Sequence, residues 1–173
     1  MATPSTDNYT IGKGILSFDR WDVDGLPTGM RDLGNAPNFT LTLEVEQLDH
    51  YSSREQIKKK DLTVTLSAGV KVKFTLDEYD RENVAIALFG TVAGPVINLL
   101  DSTTLRGHLM FVGNPAVGAR YTVNLWRVSL KPTSEISFIT EEWGKIEFEG
   151  TAESDIANHP TQEYGTVEQW MNS

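Results

Sequence analysis

Two runs of alternating residues constrain the fold of this chain more than any other feature. In the first, FTLTLEVE, Phe39, Leu41, Leu43 and Val45 alternate with polar residues. The second, LTVTLSAGVKVKF, covers residues 62–74 and keeps the same period of two. That period places apolar side chains on one face of a strand and polar side chains on the other. The sequence therefore predicts antiparallel strands with one buried face and one wet face.

A polar segment, QLDHYSSREQIKKKD, separates the two runs at residues 47–61. It is long for a connection between neighbouring strands, and such loops are usually functional or disordered. We expect a loop here, then strands over 62–66 and 70–76 joined by a turn at residues 67–69. We also expect the loop to contact another copy of the chain. The residues predicted to do so are Leu48, His50, Tyr51, Ser52, Ser53, Arg54, Lys58, Lys59 and Lys60.

The remaining sequence predicts further strands and one helix. Strands are expected in YTIGKGILSFDRWD, TLRGHLMFVG, ARYTVNLWRVSL, EISFIT and GKIEFEGTA. A helix is expected over about residues 78–89, with Asp77 as its N-cap and Gly90 as its left-handed stop. The predicted fold is mainly β, an antiparallel β-sandwich or partly closed barrel with one flanking α-helix.

The length of 173 residues suits one domain with loose ends. Residues 1–8 are small and polar and predict a flexible N-terminal arm. Residues 9–152 are expected to form the β-sandwich domain. Residues 153–173 lack sustained periodicity and are expected to form an acidic C-terminal tail.

Composition excludes several classes of protein. The formal net charge of −9 argues against a sequence-reading nucleic-acid binder, which carries a basic footprint. Cysteine is absent, so disulfides and thiolate chemistry are excluded. No apolar run approaches the ~20 residues that cross a bilayer. The first residues, MATPSTDNYT, have neither the basic nor the apolar part of a signal peptide.

No motif indicates an enzyme, a cofactor or a metal site. His50, His108 and His159 lack a partner ligand at helical spacing, so each is expected at the surface or at an interface. DRWDVDG resembles part of a calcium loop, but Arg20 and Arg31 stand where that loop needs carboxylates, which favours a plain turn. The sequences of a phosphate loop and a nucleophile elbow are absent. Tryptophans are expected in the core, namely Trp21, Trp126 and Trp143.

The order of features resembles the central stretch of the major tail tube proteins of long-tailed bacteriophages. The matching pieces are LGNAPNFTLTLEVE, LDHYSSR, KKKDLTVTL and VKVKFTLDEYDRENVAIALFG. EEWGKIEFEGTA is similar to the closing strand of that family. The resemblance covers roughly residues 9–152.

The resemblance implies a structural virion protein that polymerises as stacked hexameric rings into a tail tube. The lumen of such a tube lets DNA pass without specific binding. Its partners would be further copies of the chain, the tape measure protein, the tail terminator and the tail tip proteins. The resemblance also implies that the protein assembles in the bacterial host cytoplasm and resides in the virion.

The polar face of the alternating strands is the expected lumen wall. Lys71 and Lys73 interrupt its acidic character and are expected to pair with Glu44 and Glu46 across the strands. The residues predicted to face the lumen are Thr40, Thr42, Glu44, Glu46, Thr63 and Thr65. Two alternatives remain open: a ligand-binding or carbohydrate-binding β-sandwich that uses Trp21 and Trp143, and a single-ring terminator or baseplate protein of the same fold.

Overall fold

The structure is a computed structural model that describes residues 4–170. Over those residues it contains a 3-10 turn (Thr6–Asn8), an α-helix and ten strands. The elements are β1 (Gly14–Arg20), β2 (Arg31–Asp32), β3 (Asn38–Ser52), β4 (Lys59–Leu76), α1 (Arg81–Ala87), β5 (Thr91–Ala93), β6 (Val96–Asn98), β7 (Arg106–Gly113), β8 (Arg120–Pro132), β9 (Ile146–Ala152) and β10 (Gly165–Trp170).

Eight of the strands form one antiparallel sheet, in the order β2-β1-β7-β8-β9-β4-β3, with β10 attached to β8 outside this path. Strands β5 and β6 form a separate hairpin. The long strand β8 changes partner along its length, because its first half pairs with β10 and its second half with β9. β7 pairs with the other edge of β8 along both halves, and the packing of distant strands on each other gives the sandwich.

The core is a cluster of buried apolar side chains from β1, β4, α1, β7, β8 and β9. Phe74 of β4 stacks on Phe148 of β9 with ring centroids 5.2 Å apart, and both are fully buried. Phe39 of β3 stacks on Phe111 of β7 at 5.3 Å, so distant parts of the sheet meet without closing it. The fold is mainly β and antiparallel with a flanking helix and an unclosed sheet, which confirms the predicted fold class.

Helix α1 is shorter than predicted and begins later. Asp80, not Asp77, is its N-cap, because the Asp80 side chain accepts a hydrogen bond from the backbone N–H of Asn83. At the other end Phe89, not Gly90, takes the left-handed conformation with φ of 51°. Gly90 N–H donates to the Ala85 carbonyl, which closes a Schellman-type end. Gly90 is needed because a Cβ there would collide with the Asn98 carbonyl oxygen.

The predicted loop over residues 47–61 is mostly strand. β3 continues to Ser52 and β4 begins at Lys59, so only residues 53–58 connect them. The predicted turn at residues 67–69 is also absent, because Ala68 pairs with Val45 and Gly69 pairs with Glu44 inside the ladder. The three expected strands are therefore one long hairpin.

Two further predictions of local structure differ from the observed fold. EISFIT is not a strand; it belongs to the connection between β8 and β9, where Ile136 packs against the core. Within the predicted acidic C-terminal tail, where no strand was expected, β10 pairs with β8 from Gly165 to Trp170. In the predicted N-terminal arm, residues 4–8 are exposed. Residues 1–3 and 171–173 lie outside the described residues.

Candidate assembly surface: the extended hairpin

The outer part of the β3–β4 hairpin, residues 41–68, extends beyond the core and is called the extended hairpin below. Every residue from 41 to 51 and from 53 to 68 is exposed. Residues 41–52 alone span about 35 Å at strand geometry. A two-stranded hairpin without a packed face is marginally stable in water. The extended hairpin is therefore the part of the fold that most needs a covering surface.

Both long edges of the extended hairpin are open. Within residues 4–170, β3 pairs only with β4, and β9 covers β4 only from Lys71 onward. Open edges present unpaired N–H and C=O groups to another strand. The geometry therefore allows strand addition along either side.

The apolar residues change faces halfway along the extended hairpin. Leu43 lies opposite Val70 near the base, whereas further out Leu48 lies opposite Val64. Along β3 the apolar positions thus change from odd to even numbers, and alternation places these two pairs on opposite faces. An extra residue in β4, Leu66, lets that strand follow the change. The hairpin therefore has two exposed apolar patches that point in opposite directions.

The face opposite the outer apolar patch carries a polar network. Lys60 Nζ lies 2.8 Å from Asp49 Oδ1, and Thr63 donates its hydroxyl hydrogen to the same oxygen at 2.8 Å. These hydrogen bonds from Lys60 and Thr63 hold the pKa of Asp49 below its ordinary value. On the other face, beside Leu48, His50 Nδ1 lies 2.6 Å from Asp61 Oδ1 at a second irregularity in the ladder. The network fixes the register where the core provides no support.

The face opposite the inner apolar patch carries a second group of charges. Lys71 Nζ lies 2.6 Å from Glu149 Oε1 and 3.4 Å from Glu44 Oε1. Hydrogen bonds to Glu149 and then Glu44 raise the pKa of Lys71, and the bond from Lys71 lowers the pKa of Glu149. The predicted pairing of Lys71 with Glu44 is confirmed. Glu46 instead accepts a hydrogen bond from the hydroxyl of Ser67.

The structure brings together four of the six residues predicted to face a lumen. Alternation along β3 places Thr40, Thr42, Glu44 and Glu46 on one face. Thr63 and Thr65 lie opposite Asp49 and Gln47, so they belong to the other face. The expected single polar face is therefore wrong at its outer end, because the extra residue in β4 shifts the alternation.

The residues predicted to contact a neighbouring subunit all lie in the outer hairpin. Leu48, His50, Tyr51 and Ser52 end β3, Lys59 and Lys60 begin β4, and the others lie in the connection. Lys59 Nζ forms an ion pair of 2.5 Å with Glu55. Their position at the exposed outer end of the hairpin is compatible with the predicted contact.

One family matches almost the whole described chain. It is the family described as "Protein of unknown function UCP028589", which matches residues 9–97 and 96–168. The chain belongs to this family. No curated protein matches it.

A solved structure also aligns with this family member over nearly its full length. It comes from the cryo-EM structure of the anti-feeding prophage (AFP) baseplate, 6-fold symmetrised. The alignment covers 99% of this chain and 98% of the other at 11% sequence identity, with a TM-score of 0.49. Likeness at this level assigns no role.

No group of three His, Asp or Glu side chains within residues 4–170 can hold a metal ion. The calcium-like segment is a plain turn, in which Asp22 Oδ1 accepts the N–H groups of Asp24 and Leu26. None of the described helices is both long and apolar enough to span a membrane.

The tryptophans differ from their predicted burial. Trp21 is half-buried with the Arg127 guanidinium 6.0 Å from its ring, and Trp126 stacks on His159 at 4.1 Å. Trp143 is 91% exposed. The exposed apolar residues that precede Trp143, Phe138 and Ile139, were expected in a strand. That expectation arose because Ile136 and Phe138 alternate with polar residues.

Proposed function

We propose that this chain is the subunit of a phage tail tube, which polymerises as stacked hexameric rings and conducts the genome during ejection. The observation that carries the proposal is the extended hairpin, which exposes apolar residues on both faces and has two open edges. Apolar patches of this kind mark interaction sites. A subunit that reaches out to a neighbour in this way can build a ring or a filament from identical contacts.

Six-membered rings are what the resemblance to tail tube proteins implies. The sheet order supports ring formation, because β3 ends the sheet and leaves an edge for the next copy. The tape measure, terminator and tip proteins are the partners that a tube of this kind would meet. Assembly would occur in the host cytoplasm, and the product would reside in the virion.

The inner polar face of β3 and β4 is the proposed lumen wall. It carries Glu44, Glu46 and Glu149 together with Lys71, Lys73 and Lys131, so these three negative and three positive charges balance. Lys71 is held by two of these carboxylates. A wall with paired charges offers DNA no basic track, so the genome can slide without specific binding. Thr63 and Thr65 lie on the opposite face of the hairpin, outside the proposed wall.

Shortening the hairpin tests the proposal. Replacing residues 47–66 with an Asn-Gly turn keeps the pair Glu46 and Ser67 and removes the outer hairpin. We expect a monomer that still unfolds cooperatively but forms neither rings nor tubes in electron micrographs. The matched control replaces residues 94–95, the turn between β5 and β6, with Asn-Gly and should assemble normally. Tubes formed by the shortened variant would contradict the proposal.

The same surface also fits a single-ring terminator or baseplate protein. Such a protein would close one ring without stacking, so electron micrographs of the wild-type protein would show isolated rings of one height. The exposed ring of Trp143 favours a second alternative, a carbohydrate-binding module. A chain that stays monomeric and binds oligosaccharides would support that alternative.

A further inference from the structure

The connection between β8 and β9, residues 133–145, is tied to the fold near its ends although its middle is exposed. Thr133 N–H donates to the Glu147 carbonyl, and Ile136 packs against the core. At the other end, Tyr79 donates its hydroxyl hydrogen to the Lys145 carbonyl. The Thr140 hydroxyl accepts the N–H of Glu142 within the loop. This β8–β9 loop is therefore anchored at both ends and presents its middle outward.

That middle is apolar and acidic. Phe138 is 75% exposed, Ile139 is 97% exposed and Trp143 is 91% exposed. Within residues 133–145 three glutamates face one lysine, which gives a net charge of −2. In the described part of the chain, Glu141 and Glu142 form no ion pair. Exposed aromatic side chains on an anchored loop are typical of a binding surface for a partner.

The hairpin tip, residues 53–60, has the complementary character. Four basic residues face one glutamate there, which gives a net charge of +3 on a chain whose total is −9. Ile57 is 74% exposed at the centre of the tip. Across residues 4–170, Arg54 and Lys58 have no carboxylate partner, whereas Lys59 pairs with Glu55. The tip thus offers one apolar side chain flanked by free cations.

Tip and loop lie at opposite ends of the same long strand. β4 begins at the tip with Lys59 and ends at Leu76, which pairs with Ile146 directly after the loop. The strand spans about 55 Å at its usual rise per residue. The two surfaces of one molecule therefore cannot meet, so any contact between them joins two copies.

We propose that the hairpin tip of one copy docks on the β8–β9 loop of the next, with Ile57 against Ile139 and Trp143. In this contact Arg54 and Lys58 face Glu141 and Glu142. Apolar groups at the centre and opposite charges at the rim give the interface its specificity. The contact is heterologous, so it repeats from copy to copy. The inference rests on the proposed function, because it names the surface that receives the hairpin.

Cross-linking tests which surfaces meet. Because the native chain has no cysteine, only the introduced cysteines can react with the cross-linker. Ile57→Cys protein is mixed with Ile139→Cys protein and treated with a short bismaleimide cross-linker. We expect a covalent dimer in the mixture and little dimer in either variant alone. The control mixture pairs Ile57→Cys with Val23→Cys, which is 93% exposed elsewhere. Equal yields in both mixtures, while the proteins assemble, would overturn the contact.

Charge reversal tests the same contact without labels. The double variant Glu141→Lys, Glu142→Lys should raise the concentration needed for half-assembly at least about tenfold, because like charges then face each other. Adding Arg54→Glu and Lys58→Glu should restore assembly. The control variant Asp24→Lys, Glu168→Lys makes the same change in net charge elsewhere and should assemble like the wild type.

The outcomes separate the contact from the proposed function. If the wild type assembles, the shortened hairpin does not, and charge reversal has no effect, then the hairpin docks elsewhere and only this inference fails. If the wild-type chain never assembles, both fail. Rescue by the fourfold variant would support the contact directly.

Discussion

Leu48 and Val64 lie directly opposite each other on the extended hairpin, and both are about half exposed, at 60% and 46%. Cross-strand apolar pairs stabilise a sheet when a layer covers them. No layer within residues 4–170 covers this pair, since the core ends closer to the base of the hairpin. The pair is therefore expected to act in assembly more than in folding.

Replacing both residues with serine tests that expectation. Leu48→Ser, Val64→Ser should change the unfolding free energy of the monomer by less than about 1 kcal/mol, because exposed positions contribute little. Assembly should be lost or need a much higher concentration, measured by sedimentation velocity. Val23→Ser removes an equally exposed apolar side chain from a distant loop and serves as control. A large loss of monomer stability would show that the pair acts within one chain.

The stacked pair Phe74 and Phe148 should dominate the stability of the sandwich. Phe148→Ala is expected to lower the unfolding free energy by about 3–5 kcal/mol, the usual cost of removing a buried ring. Phe39→Ala should cost less, because Phe39 is only half-buried against Phe111. Urea unfolding followed by tryptophan fluorescence measures both. Equal losses would mean that the edges of the sheet are packed as tightly as its centre.

Asn83 joins helix α1 to the sheet through buried hydrogen bonds. Its amide donates to the carbonyls of Leu33 and Glu78 at 2.8 and 3.1 Å, and Arg31 donates to its oxygen at 2.6 Å. Asn83→Ala leaves these groups unpaired and is expected to cost about 2–4 kcal/mol in urea unfolding. Asp80→Ala removes the N-cap together with a partly exposed ion pair to Arg31 and should cost about 1–2 kcal/mol. An Asn83→Ala variant as stable as the wild type would contradict this account.

The sequence predicted the strands that face the core on one side. β7, β8 and β9 lie close to their expected positions because a buried face imposes strict alternation. The sequence did not predict the outer hairpin, because both of its faces are exposed in one chain and its apolar positions change parity after Val45. β10 was missed because its pairing with β8 depends on a distant partner.

The proposed lumen residues also fall into those that alternation predicts and those that it does not. Thr40, Thr42, Glu44 and Glu46 could be placed on one face from alternation alone. Thr63 and Thr65 could not, because an extra residue such as Leu66 leaves no mark in the sequence that alternation can reveal.

The helix cap was placed three residues early because Asp77 and Asp80 are equally good capping residues.

The ion pair of Lys71 with Glu149 makes a pH-dependent contribution. The pKa of Glu149 is lowered in the folded chain, so its contribution exists above the pKa of the unfolded carboxyl group. It is lost as pH falls through the lowered value. The Lys71 contribution, with a raised pKa, is lost only as pH rises through that raised value.

Glu149→Gln should therefore lower the urea midpoint at pH 7, and its difference from the wild type should shrink as pH falls through the lowered pKa of Glu149. Urea titrations across this range measure the difference. Glu135→Gln, which removes an exposed carboxylate without an ion pair among the described residues, is the control. A difference between wild type and Glu149→Gln that persisted unchanged at acid pH would contradict the assignment.

The central claim is that the extended hairpin joins identical copies into a polymer. Sedimentation velocity of the pure wild-type chain over a wide range of concentrations, with electron microscopy of the same samples, tests it most directly. The account predicts growth from monomer to rings and stacked tubes as concentration rises. A single species with the mass of one chain at every concentration would contradict it.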